Sequence, residues 1–131
     1  MLDSPRLLAL GTARPAHAVR QDEVQRFAST LFANVLQGDG RRLLAVFENA
    51  GIETRHFCQP LEWFAAPHTF GESNALYVEH ALALGEQVAL ATRERAGLAP
   101  ADVDHLVFVS STGIATPSLD ARLAGRLRMR G

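Results

Sequence analysis

The segment from about Phe70 to Ala96 constrains the fold of this chain more than any other part of the sequence. Thr69 and Glu72 have the spacing of a capping box, in which each side chain hydrogen-bonds a free backbone N–H at a helix start. Gly97 followed by Leu98 has the order typical of a helix end. The apolar residues between these two signals cover a wide sector of a helix. We therefore predict one long helix that is covered on more than one side.

A strand is predicted soon after this helix, at His105–Val109. Its residues from Leu106 onward are continuously apolar, which is typical of a strand covered on both faces. Residues 6–11 form a second short apolar run that ends at a glycine and predicts another buried strand. A long helix between two such strands is typical of a crossover in a parallel sheet. The sequence therefore favours an α/β fold.

The remaining elements are predicted from shorter patterns. Apolar spacing indicates one helix from Asp22 to about Leu36 and a second from about Arg41 to a stop at Gly51. A last helix is predicted with Thr116 as N-cap, Pro117 at its first position and Asp120 in its first turn. The connecting segments comprise a short strand at Ile52–Phe57, a loop at residues 12–19, and an irregular loop at residues 58–71 that its aromatic side chains anchor.

Composition excludes several classes of function. The chain has 131 residues, enough for one domain, and its formal net charge is −1, so it has no general attraction to nucleic acid or anionic membranes. It contains no lysine, which excludes covalent lysine chemistry within this chain. No apolar run is long enough to span a bilayer, and the first residues lack the pattern of a secretory signal. We predict a cytoplasmic protein with neither nucleic acid nor membrane as a partner.

Few residues have the pattern of a catalytic centre. Cys58 is the single cysteine, and no helix start lies beside it to activate its thiol, so we interpret it as structural. The five histidines lack the spacing of metal ligands, and we predict no metal site. His105 and Ser110 lie at opposite ends of one short strand, about 15–20 Å apart, which excludes a direct Ser–His pair.

Two clusters are candidates for ligand binding. The run Ser110-Ser111-Thr112-Gly113 offers uncharged donors and acceptors at a strand end; alternatively, these hydroxyls only satisfy free backbone groups there. Arg41 and Arg42 begin a predicted helix, where they either face solvent or contact a phosphate-bearing ligand. The residues alone leave both choices open.

Several segments resemble, in order, bacterial type III polyketide synthases, the chalcone and stilbene synthase family. The resemblance spans nearly all of residues 7–130, and it implies an incomplete, N-terminal part of a thiolase-like layered fold, which has two related α/β halves. The segments that carry it are Val107–Leu123, Leu8–Ala13 with Pro15, Val46–Phe57, Pro60–Trp63 and Ala75–Glu79.

The resemblance also implies a reaction, in which malonyl-CoA units are condensed onto an acyl-CoA starter by a homodimer. CoA thioesters are then substrates, and no cofactor is expected. The family's catalytic cysteine is expected shortly beyond Gly131, with its histidine and asparagine in the second half. We therefore expect residues 1–131 to contain no catalytic residue and to be inactive alone.

Four residues match functional positions of the family. Ser111 and Thr112 match positions that line the substrate cavity, and Thr116 matches the loop that reaches across the dimer. Arg42 falls where a basic residue contacts the CoA phosphates, although the family's other basic positions in that helix are Ala45 and Asn49 here. Two alternatives remain: a related condensing enzyme of the ketoacyl-ACP synthase type, and a non-catalytic binding or dimerisation domain.

Overall fold

The computed structural model describes residues 4–33 and 40–130, and at residues 40–43 it describes the backbone alone. The chain divides into two compact units, residues 15–68 and residues 1–14 together with 69–131. Among the described residues, no helix has the length and apolar character needed to cross a membrane. The elements in chain order are β1 (His17–Arg20), α1 (Gln21–Leu31), α2 (Gly40–Asn49), β2 (Thr54–Phe57), α3 (Phe70–Ala96) and α4 (Leu119–Arg126), with short 3-10 turns at Leu61–Ala65 and Pro100–Asp102.

The unit of residues 15–68 is built on β1 and β2, which pair antiparallel. His17 lies opposite Phe57, and Arg20 lies opposite Thr54. The prediction of a loop over residues 12–19 was therefore wrong at its C-terminal end. A four-residue strand with a distant partner carries too little apolar periodicity to be recognised locally. The predicted strand at Ile52–Phe57 is confirmed in part, since β2 begins at Thr54.

One glutamine joins three elements of this unit. Gln21 opens α1, and its side-chain oxygen accepts a hydrogen bond from Arg55 Nε on β2 at 2.7 Å. Its side-chain nitrogen donates to the Phe47 carbonyl on α2 at 2.8 Å. The Arg55 guanidinium also lies 5.7 Å from the centre of the Phe47 ring. The helices predicted here are confirmed, although α1 ends at Leu31, before the predicted Leu36.

The aromatic residues after β2 hold their loop by stacking on one another. The Trp63 and His68 rings are parallel within 3°, and their centres lie 3.6 Å apart. His68 Nε2 also donates to the Trp63 carbonyl at 2.8 Å. Phe64 contacts Trp63 and Phe57 edge-on, at 5.0 and 5.6 Å. The loop is anchored as predicted, but Phe64 stays 37% exposed, so ring contacts rather than full burial hold it.

The second unit is organised by α3, and both of its predicted ends are confirmed. Thr69 Oγ accepts from the Glu72 N–H at 3.2 Å, and the Thr69 N–H donates to the Glu72 carboxylate at 2.8 Å. At the other end Gly97 adopts a left-handed φ of 68°, which glycine adopts without the strain of a Cβ. Leu98 N–H then donates to the Arg93 carbonyl at 3.1 Å. These bonds satisfy backbone groups that a bare helix end leaves free.

The core of this unit lies between α3 and α4. It consists of four buried leucines and the apolar side chains around them. α4 begins at Leu119, because Ser118 still has extended dihedrals, and the prediction of Thr116 as N-cap was therefore wrong. The Thr116–Pro117 peptide, which is cis, precedes the helix. The buried leucines are Leu82, Leu119, Leu123 and Leu127.

Residues 6–11 and 105–109, both predicted as strands, form no hydrogen-bonded sheet within the part of the chain that the structure describes. Leu106 and Phe108 pack against the leucine core, whereas Val107 and Val109 are 83% and 88% exposed. Helices therefore cover only one face of the second segment. The prediction of a segment covered on both faces was wrong for these residues.

Candidate functional site

Residues 110–118 form a loop between the extended segment of residues 105–109 and α4. We call residues 110–118 the hydroxyl loop. It begins with a local turn in which Ser110 Oγ accepts a hydrogen bond from the Thr112 N–H at 3.2 Å. Ser110 thus satisfies a free backbone group, as one of the two open interpretations predicted. The side chains of Ser111 and Thr112 take no part in this hydrogen bond.

The predicted binding residues Ser111, Thr112 and Thr116 are all exposed. Among the described residues, none is a hydrogen-bond partner of their hydroxyl groups. A hydroxyl donates one hydrogen bond and accepts two, so each of these groups is available to an uncharged polar atom such as a carbonyl oxygen. The loop therefore brings Ser111 and Thr112 together as a neutral, hydrogen-bonding surface.

The centre of the loop is held by Asn74, in the second turn of α3. The Asn74 side-chain oxygen accepts from the Ile114 N–H at 2.8 Å, and its nitrogen donates to the Ile114 carbonyl at 2.9 Å. Both backbone groups of one residue are therefore bound by one amide. The sequence analysis did not identify Asn74, because the two residues are 40 positions apart and no local pattern marks the contact.

Gly113 allows the loop to approach α3 this closely. A Cβ at this position would lie 2.3 Å from Tyr77 Cδ1 and 2.7 Å from Asn74 Oδ1. Both distances are far shorter than van der Waals contact, so a side chain at residue 113 requires the Tyr77 and Asn74 side chains, or the backbone that carries them, to move. Glycine, which has no Cβ, permits this approach.

A hollow of about 160 Å³ lies between the loop and the start of α4, and its polar lining includes Ser110, Ser118 and Asp120. The hydrogen bond from the Ser118 side chain, together with backbone N–H groups at the helix start, lowers the pKa of Asp120 below its ordinary value. Asp120 is therefore an anion at neutral pH. The sequence placed it in the first turn of the helix, but its position in this hollow was not predicted.

The C-terminal end of the loop is tied to α4. Arg122 Nη2 donates to the Thr116 carbonyl at 3.0 Å. The Thr116 backbone is therefore held in place while its side chain remains exposed.

The other predicted functional residues lie outside this loop. Arg42 belongs to α2, in the unit of residues 15–68, and its side chain lies outside the described part of the structure. Cys58 is free and half-buried, and desolvation raises the pKa of its thiol. Such a thiol is a poor nucleophile at neutral pH. Within the described residues, no group of three His, Cys, Asp or Glu side chains is placed to hold a metal ion.

An apolar cleft of about 260 Å³ lies elsewhere in the unit formed by residues 1–14 and 69–131. Its walls include Leu8 and Leu106, from the two extended segments, and Leu127 and Met129, from the end of the described chain. Its lining offers few polar atoms to a ligand, in contrast to the hydroxyl loop. We therefore take the hydroxyl loop as the candidate site.

No protein-family model matches the chain. Individual relatives do. The chain is 41% identical over 123 residues to the 1,3,6,8-tetrahydroxynaphthalene synthase of Streptomyces peucetius subsp. caesius, a match that covers 93% of this chain and 32% of the relative.

Solved structures of related proteins also match this chain, and they identify its fold. The 1,3,6,8-tetrahydroxynaphthalene synthase of Streptomyces coelicolor A3(2), described as a bacterial type III polyketide synthase, matches with a TM-score of 0.82 and 26% identity, over 93% of this chain and 35% of that one. The fungal type III polyketide synthase ORAS matches with a TM-score of 0.77 and 20% identity, over 94% of this chain and 33% of that one. The partial thiolase-like fold is confirmed, and the chain spans about a third of the length of these proteins.

Proposed function

Because the chain belongs to the type III polyketide synthase family, in which it corresponds to an N-terminal portion, we propose that it forms part of an acyltransferase that condenses malonyl-CoA units onto an acyl-CoA starter. The observation that carries this proposal is the extent of the similarity, which runs over nearly the whole chain. Within that enzyme, residues 1–131 contribute binding surface, and the catalytic residues belong to the rest of the protein.

The hydroxyl loop supplies the chain's part of the substrate cavity in this proposal. Ser111 and Thr112 hydrogen-bond the polar atoms of the growing acyl chain, and their exposed, unoccupied hydroxyl groups support that role. Thr116 contacts the partner subunit of a homodimer. Neutral hydroxyls suit a reactive polyketide because they orient carbonyl groups without acting as strong bases or nucleophiles.

Arg42 is the proposed contact to the CoA phosphates. A guanidinium carries a permanent charge and several donors, which makes it well suited to phosphate oxygens. The proposed enzyme acts in the cytoplasm, with CoA thioesters as substrates and without a cofactor.

The test compares the complete reading frame that encodes this chain with the 131-residue chain alone. Both proteins are purified and incubated with an acyl-CoA starter and labelled malonyl-CoA, and CoA release and labelled products are measured. We expect condensation by the complete protein and none by the 131-residue chain. Malonyl-ACP in place of malonyl-CoA serves as the control for substrate class.

Three results would contradict the proposal. Activity with malonyl-ACP alone would identify a ketoacyl-ACP synthase. Reversible binding of acyl-CoA without condensation by the complete protein would identify a binding module. Condensation by the 131-residue chain would show that it holds its own catalytic residues.

A further inference from the structure

We propose that Asn74 is a positioning residue, which sets the orientation of Ser111 and Thr112 and thereby the choice of acyl starter. The proposal rests on the proposed function, since it concerns the substrate cavity of that enzyme. Asn74 itself does not touch the substrate in this account. It acts through the backbone of Ile114, two residues beyond Thr112.

The geometry of the contact carries the first step. The Asn74 amide binds the N–H and the carbonyl of Ile114 at 2.8 and 2.9 Å, so that it fixes both the position and the rotation of that peptide segment. A single hydrogen bond would leave the segment free to rotate about it. The amide is supported in turn by α3, whose first turn is closed by the Thr69–Glu72 capping box.

The exposure of the loop carries the second step. Both hydrogen bonds are solvent-exposed, so water would replace them at little cost if Asn74 were absent. Their effect is therefore mainly on where the loop lies and only slightly on whether the protein folds. Gly113 adds to this, because its close approach to Tyr77 leaves the loop no room to move toward the helix.

The third step connects position to selectivity. The hydrogen bond from the Thr112 N–H to Ser110 Oγ closes residues 110–112 into a small turn. Because Ile114 is held by the long helix, the position of this turn, and with it that of Ser111 and Thr112, depends on the Asn74 contact. Displacement of a polar group by about 1 Å is enough to change reaction rates substantially.

The contact itself is tested by hydrogen exchange at the Ile114 amide, measured by mass spectrometry at concentrations below those at which the chain self-associates. Asn74→Ala removes both hydrogen bonds, and we expect the protection of that amide to fall about tenfold. Asn74→Asp keeps the acceptor but places a carboxylate against the Ile114 carbonyl. Because the Ile114 N–H keeps its acceptor, we expect Asn74→Asp to retain more of the protection of that amide than Asn74→Ala does. Gln87→Ala, which removes an exposed amide from the middle of the same helix, is the matched control and should leave protection unchanged.

The effect on the reaction is tested in the complete protein that condenses acyl-CoA and malonyl-CoA. We expect Asn74→Ala to lower kcat/KM for the preferred starter about tenfold and to change the ratio between a short and a long acyl-CoA. Gln87→Ala should change neither quantity. Far-UV circular dichroism checks that each variant is folded. If Asn74→Ala does not fold, Asn74→Asp takes its place, so that displacement of the loop is distinguished from loss of the fold.

The outcomes are distinguishable. Unchanged Ile114 protection in Asn74→Ala, or protection in Asn74→Asp that is as low as in Asn74→Ala, would overturn the contact. An unchanged starter ratio with lost protection would overturn its role in selectivity. A wild-type protein that condenses nothing would contradict the proposed function and the starter role with it, while the exchange measurements would still decide the contact.

Discussion

At the scale of single residues, the hydroxyl loop depends on a position without a side chain. Gly113 lies against Tyr77 and Asn74 more closely than any other residue type allows. Asn74 then binds the next residue, Ile114, through both of its backbone groups. Two neighbouring residues of the loop are therefore held by one turn of α3, one through close packing and one through hydrogen bonds.

Gly113→Ala is expected to lower the free energy of unfolding by about 1–3 kcal/mol, because the new methyl group overpacks a tight contact. Denaturant unfolding measures the change. Gly125→Ala is the matched control: it lies in α4, and a Cβ there would meet nothing within 4 Å. This second substitution creates no clash and should not lower the free energy of unfolding, since alanine is favoured over glycine in a helix. Equal effects of the two substitutions would refute the packing argument.

Cys58 is expected to react slowly, because desolvation raises the pKa of its thiol and leaves little thiolate at neutral pH. Alkylation by iodoacetamide at neutral pH should be several-fold slower in the folded chain than in the same chain in denaturant. The rate should rise with pH above the range of an ordinary cysteine. Rapid alkylation, or covalent transfer of an acyl group from acyl-CoA to Cys58, would contradict our interpretation of it as structural.

At the scale of elements, the helices were predicted more reliably than the strands, of which β2 alone was predicted, and only in part. α3 is marked at both ends by local signals, Thr69 with Glu72 and Gly97 with Leu98, so its limits could be predicted from a few neighbouring residues. β1 was missed because its partner β2 lies far along the chain, and pairing of this kind leaves no local signature. Apolar runs at residues 6–11 and 105–109 indicate strands, but a strand also needs hydrogen-bonded neighbours.

The residues of the candidate site likewise divide into those that the local sequence identifies and those that only the fold brings to the loop. Its exposed hydroxyls could be identified because Ser111 and Thr112 follow an apolar run directly. Asn74 and Tyr77 could not be identified, since they meet the loop only through the fold. Thr116 was wrongly predicted as the N-cap of α4. Ser118, two residues later, is equally suited to that position and has the extended dihedrals of an N-cap.

The start of α4 should make stability depend on pH through Asp120. The Ser118 hydrogen bond and backbone N–H groups lower the pKa of this carboxyl in the folded chain. A lowered folded-state pKa contributes stability above the unfolded value of about 3.9, and that contribution is lost as pH falls through the folded pKa. Asp120→Asn should therefore be less stable than the wild type at pH 7, with the difference disappearing at low pH.

Denaturant unfolding at several pH values measures this difference. Glu79→Gln, which removes an exposed carboxylate from α3, is the control. A difference between wild type and Asp120→Asn that persists unchanged below pH 3 would show that the charge at this helix start is not its cause.

At the scale of the whole molecule, the unit of residues 1–14 and 69–131 exposes an unusual number of large apolar side chains. Leu7, Leu10, Val107 and Val109 are each more than two thirds exposed, and they belong to two extended segments. Within the described residues, these segments form no strand ladder. Extended backbone and exposed apolar side chains together favour association between chains.

We therefore expect the 131-residue chain to self-associate at micromolar concentrations, as measured by multi-angle light scattering. Val107→Lys combined with Val109→Lys should reduce the association without unfolding the chain, because both side chains point away from the core. Ala83→Lys, at an exposed position of α3, adds charge elsewhere and should leave the association largely unchanged. A clean monomer over a wide concentration range would contradict this expectation.

The stacked pair of Trp63 and His68 makes the two compact units optically separable. The chain has one tryptophan and one tyrosine; Trp63 lies in the unit of residues 15–68, and Tyr77 lies in the other. An imidazole ring 3.6 Å from the indole is close enough to quench its emission, so opening of the loop should brighten Trp63. Trp63 emission, excited selectively, reports on the unit of residues 15–68, and Tyr77 emission reports on the other unit. Native fluorescence alone, without an added dye, can thus show whether the units unfold together or one after the other.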